Sequence, residues 1–153
     1  MQIVWGKTED APALAQVFYD AVRLGPSPYT EAERMAWVPE VPDANAFATR
    51  LAAHQVAAAK VKGQLVGFMT LDATGYIDLV FILNAYRGQG IFRALFAVIE
   101  EKANAQALPR LSTHASLTAQ PAFQAMGFSV IQHETVTRAG EELRRAEMEK
   151  HLT

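Results

Sequence analysis

The chain has 153 residues, half of them apolar and a fifth charged, with a formal net charge of −2 and a pI near 6.1. That length suits one domain over residues 1–153 that buries roughly two thirds of its unfolded surface, and the charge leaves no basic footprint for a nucleic-acid partner. The absence of cysteine removes disulfides, thiol nucleophiles and thiolate-bound metals together.

Gln2 to Trp5 has the composition of a short strand. The opening Met1-Gln-Ile-Val-Trp-Gly6 lacks the basic segment and longer apolar stretch of a secretion signal, so a cytoplasmic location is the default. Asp10 is positioned as the N-cap of a helix whose Leu14, Val17, Phe18, Ala21 and Val22 share one face, and Gly25-Pro-Ser-Pro28 ends it. Thr30 and Glu33 form a capping box for a short helix through Trp37, which Pro39 and Pro42 terminate. Asp43 caps a third helix that runs to about Ala53.

Residues 55–61 and 64–71 form a hairpin around Lys62-Gly63, and Asp72-Ala-Thr-Gly75 turns the chain into a third strand of the meander. That strand, Tyr76 to Leu83, is rich in β-branched and aromatic residues and reads as buried. The longest apolar run, Leu79 to Leu83, falls far short of the roughly 20 residues that span a bilayer, so no membrane partner is expected. Beyond it, Ile91, Ala94, Leu95, Val98 and Ile99 make the apolar stripe of an amphipathic helix. After a break at Pro109, residues 110–115 read as a strand, and residues 129–138 with 142–152 as a closing hairpin around Ala139-Gly140. The pattern predicts an α/β fold, a mixed sheet with helices on both faces.

The junction between the Tyr76 strand and the amphipathic helix reads Asn84-Ala-Tyr-Arg-Gly-Gln-Gly-Ile-Phe-Arg93. Gly88 and Gly90 allow positive φ and close approach of a ligand to the backbone. The free amides of the helix's first turn, at its positive dipole end, suit a pyrophosphate. Arg87 and Arg93 bracket the loop, where the dipole disfavours cations; a bound phosphate explains the pair.

Two motifs carry a resemblance to a known family. Arg87-Gly88-Gln89-Gly90-Ile91-Phe92 resembles the acetyl-CoA loop Arg/Gln-x-x-Gly-x-Gly/Ala of the GNAT superfamily of N-acetyltransferases, with Phe92 in place of the small last residue. Ser116, Ala119, Phe123, Gly127 and Phe128 fall on that superfamily's Asn/Ser-x-x-Ala-x-x-x-Tyr/Phe-x-x-x-Gly-Phe motif, a short helix along the pantetheine arm. The element order agrees over nearly the whole chain.

The resemblance implies a GNAT-type mixed, mostly antiparallel central sheet of about six to seven strands with helices on both faces. It implies transfer of acetyl from acetyl-CoA to a primary amine of a small molecule or peptide by direct attack, without a metal. The CoA contacts would come from Arg87, Gly88, Gln89, Gly90, Ile91, Phe92 and Arg93, from Ser116 and Phe123, and from backbone at Val80, Phe81 or Ile82, where one amide would also stabilise the thioester oxygen. Tyr29 and Trp37 would line the acceptor pocket, and a homodimer is compatible with the family. Phe123 stands where the family's tyrosine protonates the departing thiolate, which keeps an alternative open: a CoA-binding sensing module with little turnover. The Phe92 ring is expected to turn away from the cofactor into an apolar layer.

A free ammonium with a pKa of roughly 10.4 has no lone pair, so amine acetylation needs a base. His114, at the end of the fifth strand, leads because an imidazole titrates at roughly 6.5; Asp78 is the other candidate. His54, His133 and His151 show no ligand spacing, and no metal site is expected.

Overall fold

The computed structural model describes residues 1–152. The chain runs through strand β1 (Gln2–Trp5), helices α1 (Ala11–Arg23), α2 (Glu31–Trp37) and α3 (Ala44–Leu51), then strands β2 (His54–Val61), β3 (Gln64–Asp72), β4 (Tyr76–Ile77) and β5 (Val80–Ile82). Helix α4 (Ile91–Ala105), strand β6 (Arg110–Ser116), helix α5 (Gln120–Ala125) and the hairpin of β7 (Ser129–Arg138) and β8 (Glu141–His151) follow. Among the described residues no helix is long and apolar enough to cross a membrane.

Local chemistry accounts for most boundaries. Thr30 Oγ1 accepts from the Glu33 amide at 3.1 Å and Glu33 accepts from the Thr30 amide at 2.8 Å, a reciprocal cap for α2. Asp43 accepts from the Ala46 amide at 3.0 Å and starts α3. Asp10 does not cap α1 as its sequence position suggests. Its carboxylate instead accepts from the Lys7 amide at 2.7 Å and closes a 3₁₀ turn, Thr8–Asp10, that precedes the helix. Lys62 and Gly63 both take positive φ, +52° and +77°, as a two-residue hairpin requires.

The strands form two four-stranded sheets, β1-β2-β3-β5 and β4-β6-β8-β7, antiparallel except where β4 runs parallel to β6. Helices lie on both faces of the first sheet. On one face, Leu14, Val17, Phe18 and Val22 of α1 pack with Phe47 of α3 and with Val56 and Phe68. On the other, Ile91, Leu95, Phe96 and Ile99 of α4 pack on Ala57, Ala59, Val66, Met69 and Leu71, in the core that also takes Leu111 and Met148. The α4 stripe therefore includes Phe96, while Ala94 and Val98 are only half-buried.

The segment read as one strand from Tyr76 to Leu83 is two strands, and this raises the count to eight. Tyr76 and Ile77 pair with Ser112 and Thr113; Val80 to Ile82 pair with Met69 to Gly67 in the other sheet. The chain crosses at Asp78 and Leu79. There two buried threonines satisfy backbone groups that a regular ladder would otherwise serve. Thr70 Oγ1 accepts from the Leu79 amide at 3.0 Å, and Thr113 Oγ1 donates to the Ile77 carbonyl at 2.8 Å. A buried amide without a partner is costly, so the hydroxyls stabilise the departure of one strand from its sheet.

Thr70→Val keeps the shape of the side chain but strands the Leu79 amide. It is expected to lower unfolding free energy by about 1–3 kcal/mol, read from urea denaturation. An unchanged midpoint would show that the hydroxyl is not what holds the crossing.

Candidate functional site

Because β4 stays with β6 while β5 turns to β3, the two strand ends diverge and leave a groove of about 350 Å³. Val80, Phe81 and Ile82 form one wall, Ser116, Thr118 and Ala119 the other, and Gly88, Gly90, Ile91, Phe92 and Arg93 close one end. Bonds from the Leu83 amide to Val66 and from the Thr70 amide to Leu79 set the parity of the β3–β5 ladder. Phe81, opposite Phe68, shares that parity and is committed to β3. The amides of Val80 and Ile82 point the other way, toward the groove.

In the loop, Gly88 and Gly90 have φ of +74° and +82°, which disfavour any L side chain, and a Cβ added at either would enter open space. The glycines are therefore required by backbone conformation, and the space above them stays free for a ligand. Gly90 accepts from the Ala94 amide at 3.1 Å and begins α4. Among the described residues, the amides of Gly88 through Arg93 have no intramolecular acceptor. They lie at the N-terminal end of a fifteen-residue helix, the geometry that favours an anion.

The two arginines behave differently. The Arg87 guanidinium donates to the Ile82 carbonyl (3.3 Å), the Asn84 side chain (2.6 Å) and the Ala21 carbonyl of α1 (3.1 Å), so it braces the loop against α1 and β5. Burial, and secondarily the Arg34 guanidinium, lower its pKa from the usual arginine value. Arg93 is exposed and, among the described residues, has no carboxylate partner. Gln89 is exposed and donates back to the Ala85 carbonyl at 3.1 Å.

Phe92 packs edge-on against Phe123 with ring centroids 5.0 Å apart, so its ring lies in an apolar layer while part of it borders the groove. Phe123 is fully buried between Phe92 and Phe128. Ser116 Oγ accepts from the Ala119 amide at 3.2 Å and tightens the turn into α5.

A second cavity of about 150 Å³ adjoins the groove, sharing Trp37, Val80, Phe81, Ser116 and Ala119 with it. Tyr29 and Trp37 line it in edge contact at 5.5 Å. The buried Tyr29 hydroxyl donates to the Arg144 carbonyl (2.5 Å) and accepts from the Leu117 amide (2.9 Å), which ties the N-terminal helices to β8 and to the turn after β6. Asp78 also borders this cavity, but Arg50 holds its carboxylate through two bonds of 3.1 and 3.2 Å.

His114 lies on the cavity wall, its Nδ1 hydrogen-bonded and its Nε2 facing two carboxylates. Nδ1 is 2.8 Å from the Tyr76 hydroxyl, and Nε2 is 3.6 Å from Glu134 and 4.0 Å from Glu147. Tyr76 and Glu134 escape sequence reasoning because only strand register places them here. Tyr76 pairs with Ser112, two residues before His114, and His114 pairs with Glu147. Alternation along β6 puts Ser112 and His114 on one face, which would have found Tyr76 had the register been known. Among the described residues no group of three or more His, Asp or Glu side chains stands where it could hold a metal ion.

A family model described as an acetyltransferase (GNAT) domain matches residues 26–152. The Escherichia coli (strain K12) protein called uncharacterized N-acetyltransferase YafP is 28% identical over 131 residues, covering 86% of this chain and 83% of that protein. The crystal structure of a GCN5-related N-acetyltransferase from Rhodopseudomonas palustris superposes with a TM-score of 0.90 at 29% identity, over 99% of this chain and 95% of that one. A phosphinothricin acetyltransferase from Sinorhizobium meliloti, solved in complex with acetyl-CoA, shares the fold at a TM-score of 0.76 and 17% identity, over 99% of this chain and 88% of that one.

The Tyr29 tie has a pH signature. Burial, the largest influence, raises its pKa above the ordinary 10.0, with the Leu117 hydrogen bond opposing. The folded state then holds the phenolic proton more tightly than the unfolded state, so this stabilisation is complete below pH 10 and is lost as pH rises through the folded pKa. Tyr29→Phe is expected to cost about 1–3 kcal/mol at pH 8, by orphaning two backbone groups, and to flatten the loss of stability above pH 10 in urea titrations. The Tyr76 pKa is also raised, so a residual slope remains.

Proposed function

This chain belongs to the GNAT family of acetyltransferases, and we propose that it moves acetyl from acetyl-CoA onto a primary amine of a small molecule or peptide by direct attack, as one domain. Family membership makes the chain an acetyl-CoA-dependent acetyltransferase, which supports the transfer reading over that of a sensing module with little turnover. The observation that carries the finer reading is the run of unpartnered amides from Gly88 to Arg93 at the end of a groove that opens into a second cavity at Val80, Phe81, Ser116 and Ala119.

The residues present fit the co-substrate. The free amides and the helix dipole suit a pyrophosphate, and the left-handed glycines leave the space a Cβ would fill. Of the two loop arginines, Arg93 has no carboxylate partner among the described residues and suits a phosphate, whereas Arg87 shapes the loop from behind. The outward amides of Val80 and Ile82 suit the pantetheine amides, with Phe92 and Ser116 bounding the arm and Phe123 packed behind Phe92.

Acetyl-CoA supplies an acyl carbon activated by a thiol leaving group. The chain contributes position and charge. An amine in the cavity between Tyr29, Trp37 and His114 would face the point where groove and cavity meet. There the Val80 amide is placed to donate to the thioester oxygen as negative charge grows on it. Of the two base candidates, His114 fits better, since Asp78 is spent on Arg50. Phe123 has no proton to give, so the departing thiolate takes its proton from water.

Calorimetric titration with acetyl-CoA tests the loop. Gly90→Val carries roughly 1–3 kcal/mol of backbone strain at φ +82° and fills the groove, so affinity is expected to fall by about 10²-fold or more. Gly63→Val carries similar strain at φ +77°, in open space at the β2–β3 turn, and should leave affinity unchanged. Arg93→Ala should weaken binding several-fold without loss of stability. Native affinity in Gly90→Val would remove the loop from the binding site.

A further inference from the structure

Nδ1 of His114 is hydrogen-bonded to the Tyr76 hydroxyl, while Nε2 lies within ion-pair distance of two carboxylates. If Nδ1 carried the proton, the lone pair of Nε2 would face the carboxylates of Glu134 and Glu147, which repel it. The arrangement favours hydrogen on Nε2, directed at those carboxylates, and leaves Nδ1 to accept the Tyr76 hydroxyl. In that state the imidazole has no free lone pair with which to take a proton from a substrate. The group it presents to the cavity is the half-buried Tyr76 ring, which borders the same space.

We propose that Tyr76 is the residue that contacts the acceptor amine, and that Tyr76, His114 and Glu134 form a proton relay in which His114 acts through the tyrosine. The inference rests on the acetyl-transfer reading and adds to it. The relay first carries the ammonium proton to water and resets; as the freed amine nitrogen bonds to the acyl carbon and the carbon–sulfur bond breaks, a second nitrogen-bound proton passes to Tyr76 Oη while the phenolic proton moves to His114 Nδ1. The imidazolium stands between Glu134 and Glu147 until it releases its proton to water, and the thiolate takes one from water, so charge and hydrogen balance.

The surroundings suit a relay. Burial, and then the nearby Asp78 carboxylate, raise the Tyr76 pKa, so a lasting phenolate is disfavoured and the proton must move on as it arrives. Arg145 bonds Glu134 Oε1 at 2.6 Å and holds that carboxylate beside His114. Arg50 neutralises Asp78 on the far side of Tyr76. The charged and titratable groups facing the pair are thus Asp78 and Arg50 on one side and Glu134, Arg145 and Glu147 on the other.

The test uses steady-state release of CoA from acetyl-CoA, with a panel of primary amines of graded pKa, followed by full kinetics on the fastest. Tyr76→Phe and His114→Gln are each expected to lower kcat by about 10²-fold with the KM for acetyl-CoA unchanged, and the double variant should be little slower than either, as for groups acting as one unit. His114→Gln and Glu134→Gln should each change the pH profile of kcat/KM, which a merely structural role would leave in place. Long-range ¹H–¹⁵N NMR of the native protein above neutrality should show hydrogen on His114 Nε2. Native kcat in Tyr76→Phe, additive losses in the double variant, or hydrogen on Nδ1 would each overturn the relay. A native protein that binds acetyl-CoA but acetylates no amine overturns the acetyl-transfer reading, and the relay's role with it, and is told apart because the unmutated chain is then inactive.

Discussion

The site depends on one strand leaving its sheet. Between Ile77 and Val80 the chain exchanges β6 for β3 as its partner, and the gap that results is both the groove and the source of outward-facing amides. Such a crossing strands backbone groups in the interior, which is why strands rarely make it without compensation. Here the side chains of Thr70 and Thr113, both buried, supply the missing partners. The threonines stabilise the crossing, and the crossing exposes the edge of β5.

A second constraint acts on the loop beyond β5. The last turn of α1 ends in carbonyls with no helical partner, and they are met from outside the helix. Arg87 donates to Ala21, Arg34 Nε to Val22 at 2.6 Å, and Asn84 Nδ2 to Leu24. Cationic and amide donors at that end also complement the negative pole of the helix. The Arg87 and Asn84 contacts pin the segment that leads into the glycine loop against the end of α1. The Arg87 and Gln89 side chains bond within the protein, whereas the amides from Gly88 to Arg93 have no acceptor among the described residues.

The aromatic layer behind the groove explains how Phe92 is accommodated where the resembled motif has a small residue. Its ring meets Phe123 edge-on, Phe123 meets Phe128 at 4.9 Å, and Phe128 meets Phe96 at 5.6 Å, a chain of contacts that joins the start of α4 to α5 and the core. Phe123, fully enclosed in that chain, contributes packing rather than a proton.

Much of this was legible in the sequence because it rests on local rules. The Thr30–Glu33 box, the Asp43 cap, the Lys62-Gly63 turn and the glycines at positions 88 and 90 each depend on residues close in the chain. The α4 stripe was equally visible, since helical periodicity needs no partner to be read. What local rules left open was settled by pairing across the sheets. The split at Asp78–Leu79, the commitment of Asp78 to Arg50, the inward turn of Arg87 and the meeting of Tyr76, His114 and Glu134 all join residues far apart in sequence. Periodicity assigns a residue to a face, but only register decides which residues on that face stand opposite one another, and register is set by the packed sheet as a whole.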